Sequence, residues 1–190
     1  MILKRVLPFA HSLLANAVHD GDIAIDATIG NGNDTALLAE LVGEQGKVYG
    51  FDIQEKALEN TYTLLKEKQL DNRATLFHES HDQIEILIPK DETKKVKAAI
   101  FNLGYLPGGD KNIVTTPSRT INAIRQLLSI MPYGGIIILV VYHGHPEGMY
   151  ERDALLEFVA TIEQKQANVL KYEFLNQKNH PPFIIAIEKK

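Results

Sequence analysis

The chain has no cysteine. That absence excludes disulfides, thiolate metal sites and iron-sulfur clusters, and with them any reaction in which a cysteine attacks a base or an acyl group. It is compatible with a reducing compartment, and the expected location is cytoplasmic. No stretch approaches the roughly 20 consecutive apolar residues that a membrane helix needs, so no membrane partner is expected. Neither sign of charge dominates: 20 Lys and Arg against 24 Asp and Glu give a net charge of -4. The global basic field that often marks nucleic-acid binding is therefore missing, and any RNA contact must be local. What is present, 45% hydrophobic and 23% charged residues over 190 positions, excludes collagen, coiled-coil arrays and disorder. It fits one soluble domain spanning residues 1–190.

Lys4 and Arg5 precede an apolar run, and Ala15-Asn16-Ala17 has the small-x-small form of a signal-peptidase site. Pro8, His11, Ser12 and Asn16 interrupt that run, while Leu3, Leu7, Leu14 and Val18 recur at helical spacing. The expectation is a helix lying against a core.

Strand and helix patterns then alternate. Ile23 to Ile29 is an apolar run opening onto Gly30-Asn31-Gly32-Asn33-Asp34-Thr35, followed by helical spacing from Ala36 to Val42. Lys47 to Ile53 is a second strand and Gln54 to Gln69 a second helix of this unit. Ala74 to Phe77 is a third strand, Asp82 to Ile88 a short helix, and Ala98 to Phe101 a fourth strand ending in the turn-rich Asn102 to Asp110. A helix is expected from Ser118 to Met131. Ile136 to Tyr142 is apolar and β-branched throughout, as in a central strand covered on both faces. A helix over Glu147 to Gln166 and strands near Lys171 to Leu175 and Phe183 to Ile187 complete the series. The last two are too close for a helical crossover, so they form a hairpin. The fold class is α/β: a doubly wound, Rossmann-like, mostly parallel seven-stranded sheet with an antiparallel C-terminal strand. Ligands bind such sheets at the carboxyl edge, where the loops after Ile29, Ile53, Phe77, Phe101 and Tyr142 gather, together with the turn Gln177 to Pro182.

The chemistry-bearing residues fall in those loops. Asp26 to Gly32 (DATIGNG) puts small residues where a strand turns into a helix, so backbone N–H groups can approach a ligand. A dinucleotide fingerprint needs a third glycine where Thr35 stands, which argues against NAD. Asp52 ends the second strand, where a carboxylate can accept both ribose hydroxyls of a nucleoside cofactor. Ser80-His81-Asp82 follows the third strand; it can read an adenine edge, or His81 can cap the following helix or face solvent. Asn102-Leu103-Gly104-Tyr105 supplies a carboxamide oxygen, a backbone carbonyl and an aromatic ring, a set suited to holding an amine on a nucleobase while Tyr105 stacks on the ring. Asp110 could neutralise or deprotonate a substrate ammonium. His143 and His145 stand at i and i+2, but with no cysteine and no third ligand nearby a structural or substrate-facing pair is expected, and no metal. Lys94, Lys95, Lys97, Arg119 and Arg125 are candidate phosphate contacts or plain surface.

Taken in order, DATIGNGNDT, the Asp52-Ile53-Gln54 strand end, FNLGYLPGGDK and VVYHGHPEG resemble the bacterial YtqB-like family labelled rRNA methylases, over nearly the whole chain. The resemblance implies a class I S-adenosylmethionine-dependent methyltransferase. Characterised members N-methylate the 5-aminomethyl group of the tRNA wobble uridine, so the implied partner is the anticodon region of tRNA. It also implies S-adenosyl-L-methionine as cofactor, with Asp26, Gly30, Asn31, Asn33, Asp52, Gln54, Ser80 and His81 on its side. Asn102 then stands at the amine, with Tyr105 and Asp110 beside it. Two positions depart from the wider methyltransferase pattern: Thr28 replaces the first glycine of G-x-G-x-G, and Asn102-Leu103-Gly104-Tyr105 replaces N-P-P-Y. The amine must lose a proton before it attacks, to Asn102-bound water, to Asp110 or to solvent. The rival readings are methylation of rRNA, methylation of a small amine or hydroxyl, and a non-catalytic nucleotide-binding module. A second copy could extend the RNA surface of so small a domain, so a homodimer is one arrangement the reading allows.

Overall fold

The computed structural model describes residues 2–104 and 115–190, and within them every expected strand forms. The strands are β1 (Ile23–Asp26), β2 (Lys47–Phe51), β3 (Ala74–Phe77), β4 (Val96–Leu103), β5 (Ile136–Val141), β6 (Ala167–Tyr172) and β7 (Phe183–Lys189). They make one sheet in the order β3-β2-β1-β4-β5-β7-β6. Pairing is parallel from β3 through β5, and β7 runs antiparallel to both β5 and β6. The helices are α1 (Val6–Ala17), α2 (Asn33–Leu41), α3 (Glu55–Glu67), α4 (Ile84–Leu87), α5 (Pro117–Ile130) and α6 (Pro146–Ala160). Among the described residues, none is long and apolar enough to cross a membrane.

The two-residue period of the strands divides the core cleanly. Ile137, Leu139 and Val141 of β5, with Phe183, Ile185 and Ile187 of β7, pack against Ala123, Ile124 and Leu127 of α5 and Leu155 of α6. Ile138, Val140, Ile184 and Ala186 face the other way, against Ala10 and Leu14 of α1, Leu38 of α2 and Leu65 of α3. The unbroken apolar run of β5 is thus the signature of a strand buried on both faces. The N-terminal segment forms the expected core-packed helix, but its buried face is Ala10, Leu14 and the C-cap Val18, whereas Leu3 precedes the helix and Leu7 is exposed and lines a cavity at the sheet's carboxyl edge.

Two C-terminal boundaries differ from expectation. Helix α6 stops at Ala160, because Glu163-Gln164-Lys165-Gln166 offers no apolar residue to extend its buried stripe. Strand β6 accordingly begins at Ala167 and pairs Ala167 with Lys189 and Tyr172 with Ile184. Phe174 and Leu175, whose aromatic and aliphatic character suggested a strand, lie beyond the pairing, and Leu175 is 94% exposed.

Candidate functional site: a cavity at the switch point of the sheet

The strand order reverses between β1 and β4, and the carboxyl ends of parallel strands open a crevice at such a point. Here it is a cavity of about 740 Å³. Its walls come from the turn after β1 (Thr28 to Asn31, Asn33, Asp34), the end of β4 (Asn102 to Gly104), the end of β5 (Tyr142 to His145), the hairpin residue His180, and Leu7 and His11 of α1.

The turn after β1 depends on glycine. Gly32 caps α2 at φ 80°, in the left-handed region, and a Cβ there would lie 2.6 to 2.9 Å from the buried Thr61 side chain. Beneath the turn sits Asp26, fully buried: Oδ1 accepts from Thr28 N–H at 3.2 Å and Oδ2 from the Thr35 hydroxyl at 2.6 Å. Burial, with the nearby Asp34 charge, raises its pKa to about 7 despite those two hydrogen bonds. Asp26 therefore braces the turn from below rather than forming part of the cavity wall.

Thr28, in place of a first glycine, has a task glycine could not perform. Its hydroxyl oxygen accepts the Asn102 N–H at 2.6 Å and so ties the end of β4 to the β1 turn. Asn102 is fixed at its side chain as well: Nδ2 donates to Asp34 Oδ2 at 2.6 Å. The other Asp34 oxygen, Oδ1, lies 2.7 Å from His11 Nε2. Because a carboxylate only accepts, the imidazole must donate here. The hydrogen bond that His11 donates to Asp34, outweighing burial, raises the His11 pKa. In the sequence His11 reads only as an interruption of an apolar run, and Asp34 as one more polar residue of the glycine turn. The signal was a polar residue one turn after Leu7 on a core-facing helix, and an acid in the first turn of α2, where the helix dipole favours it.

Asp52 joins the β1 and β2 turns. Oδ2 accepts from Gly30 N–H and Oδ1 from Gln54 N–H, both at 3.0 Å. Each oxygen keeps a lone pair, which suits a ribose diol. Gly30, Asn31, Asn33 and Asn102 line the cavity, whereas Asp52, Gln54 and Ser80 lie along the same sheet edge on the β2 and β3 side of it. His81 is buried: Nδ1 is 3.1 Å from Ala27 O, Nε2 is 3.5 Å from the Thr120 hydroxyl, and its ring stands edge-on to Phe101. Burial lowers its pKa to about 4, so it is neutral and holds the β1 end to α5.

Tyr105 and Asp110 lie outside the described residues. The segment's ends are joined, Thr115 N–H donating to Gly104 O at 3.2 Å and Gly104 N–H to the Thr115 hydroxyl at 3.1 Å. That hydroxyl and Thr120 both bond the buried Glu151, whose pKa burial raises. His143 Nε2 meets Pro181 O at 2.9 Å, and His145 Nδ1 caps α6 by accepting from Gly148 N–H at 3.1 Å. Among the described residues no group of three or more His, Asp or Glu is placed to hold a metal ion. Lys94, Lys95 and Lys97 stand at the start of β4, the edge opposite the cavity, so they are surface residues with respect to this site.

A tRNA (mnm(5)s(2)U34)-methyltransferase, chloroplastic, of Arabidopsis thaliana is 35% identical over 98% of this chain and 70% of its own length. A Streptococcus mutans protein solved in complex with SAH is 39% identical, with a TM-score of 0.89 over 99% of both chains. A Clostridium thermocellum rRNA-methylase structure is 44% identical, with a TM-score of 0.95 and the same coverage. Residues 48–188 match the model of the family described as "Putative rRNA methylase". The chain belongs to that family, on the class I methyltransferase fold.

Proposed function

We propose that the protein is an S-adenosylmethionine-dependent tRNA methyltransferase that methylates the 5-aminomethyl nitrogen of the wobble uridine, taking nm5U to mnm5U and nm5s2U to mnm5s2U. The reading is supported by the relative named for a tRNA wobble position and by the SAH complex of a 39% identical protein. The observation that carries it is the Asn102 amide on the cavity wall, its Nδ2 committed to Asp34, which leaves Oδ1 as the acceptor for a substrate N–H.

S-adenosylmethionine supplies a methyl group on a sulfonium sulfur, ready for in-line attack. The residues present fit it. Asp52, held by two backbone N–H groups, offers one lone pair on each oxygen to a ribose diol, and the glycine turn at Gly30 and Gly32 lets a ligand approach the backbone. Asn102 Oδ1 would hold the amine through one N–H and leave its lone pair free for the donor methyl group, which is catalysis by positioning. The Asp34 carboxylate favours a cationic acceptor at that end of the cavity. This suits an alkylamine, which is protonated near neutral pH and must release one proton before attack. Tyr105 and Asp110 remain our candidates for stacking on the base and for taking that proton.

The test compares anticodon stem-loops bearing 5-aminomethyluridine and 5-hydroxymethyluridine as methyl acceptors. The amine should be methylated and the alcohol left untouched. Equal methylation overturns the amine reading, and none on either RNA while ribosomal RNA or a free amine is modified overturns the tRNA reading.

A further inference from the structure

The carboxamide of Asn102 can turn over, exchanging its donor and acceptor ends, and only one orientation presents oxygen to an amine. What fixes that orientation comes from two other elements. Asp34, in the first turn of α2, accepts from Asn102 Nδ2 at 2.6 Å, and its second oxygen is held by His11 Nε2 at 2.7 Å. His11 lies on α1, which packs across β4, β5 and β7 and brings the imidazole to the cavity wall. The carboxylate is largely shielded, at 11% side-chain exposure, and the imidazole partly so at 38%. We propose that His11 and Asp34 are positioning residues for methyl transfer: the imidazole holds the carboxylate, the carboxylate holds Asn102 Nδ2, and Oδ1 is thereby aimed at the acceptor.

The arrangement makes a chemical distinction. A carboxylate cannot donate, so Asp34 enforces the Nδ2-inward orientation of Asn102, whereas an asparagine at the same place accepts either end. The imidazole contributes one N–H at a fixed place. Glutamine at position 11 reaches the same point with an amide N–H, whereas leucine fills the space with no donor. Variants at these two positions therefore separate orientation from packing.

The experiment has two readouts, and the second does not depend on the amine substrate. In steady-state assays on 5-aminomethyluridine tRNA, His11→Leu and Asp34→Asn should each lower kcat about tenfold or more, since small misplacements of a reacting group are costly. SAH affinity should be unchanged, and His11→Gln should recover most of the rate. In nitrogen-15 spectra of the labelled full chain, the Asn102 side-chain NH2 signal, assigned by its loss in Asn102→Asp, should sit downfield in the wild type. It should move upfield in His11→Leu and Asp34→Asn and return in His11→Gln. An unmoved Asn102 signal in both disabling variants overturns the proposal, as does His11→Gln behaving like His11→Leu. The activity arm rests on the amine-methylation reading. A wild type that methylates no amine-bearing tRNA removes that reading, while the spectra still decide the His11 and Asp34 pair.

Discussion

Asn102 is held at both its backbone and its side chain, by Thr28 and Asp34. Asn102→Ala should therefore lower kcat about a hundredfold with little change in SAH affinity, whereas Asp52→Ala should chiefly weaken SAH, as calorimetry beside turnover would show. Two buried titratable groups give opposite pH signatures. Asp26 has its pKa raised from 3.8 to about 7, so the folded state binds its proton more tightly and the residue's contribution to stability falls as pH rises from 4 to 7. His81 has its pKa lowered from 6.5 to about 4, so its contribution rises as pH climbs between those values. In melting curves taken across that range, Asp26→Asn should gain on the wild type with increasing pH and His81→Gln should lose ground; parallel curves would refute both assignments. Asp52 and Asn102 were legible in the sequence because strand ends are where such sheets bind ligands. His11 and Asp34 were not, because their meaning depends on α1 and α2 converging on β4, a juxtaposition no local pattern encodes.

At the scale of elements, the turn joining β1 to α2 carries the most constraint for its length. Gly32 combines a positive φ with a Cβ position occupied by Thr61, so Gly32→Ala should destabilise the fold by about 1–3 kcal/mol and weaken cofactor binding with it. The Thr61 hydroxyl is itself buried and has no hydrogen-bond partner among the described residues. Thr61→Val removes that group at constant shape and should raise the melting temperature by about 2–4 °C. A fall would mean that the hydroxyl has a bridging water. Strands β1, β4 and β5 could be read from sequence because burial on both faces forces near-continuous apolar runs. The β6 boundaries could not, since Val169 and Leu170 on an edge strand remain 39% and 49% exposed and carry no clean alternation. The end of α6 is hidden for a related reason: charged residues permit a helix, and the missing apolar stripe over Glu163 to Gln166 is visible only once Ala167 is seen to pair in β6.

At the scale of the molecule, a net charge of -4 must be reconciled with the proposed RNA substrate. Elements that reach the cavity also carry cations: Lys4 and Arg5 just before α1, Arg152 of α6 beside His143, and Lys178 in the hairpin with His180. Affinity for tRNA should fall with ionic strength by roughly 0.7–0.9 log units per decade of salt for each phosphate engaged, and neutralising Lys4, Arg5 and Lys178 should flatten that slope. SAH affinity should stay level throughout. The measurement that bears most directly on the whole account is transfer of labelled methyl from S-adenosylmethionine to total tRNA from cells lacking this protein, followed by nucleoside mass spectrometry. Label recovered as 5-methylaminomethyluridine, or its 2-thio form, is the predicted result. Cofactor binding with no label in tRNA, or label in any other nucleoside, would contradict it.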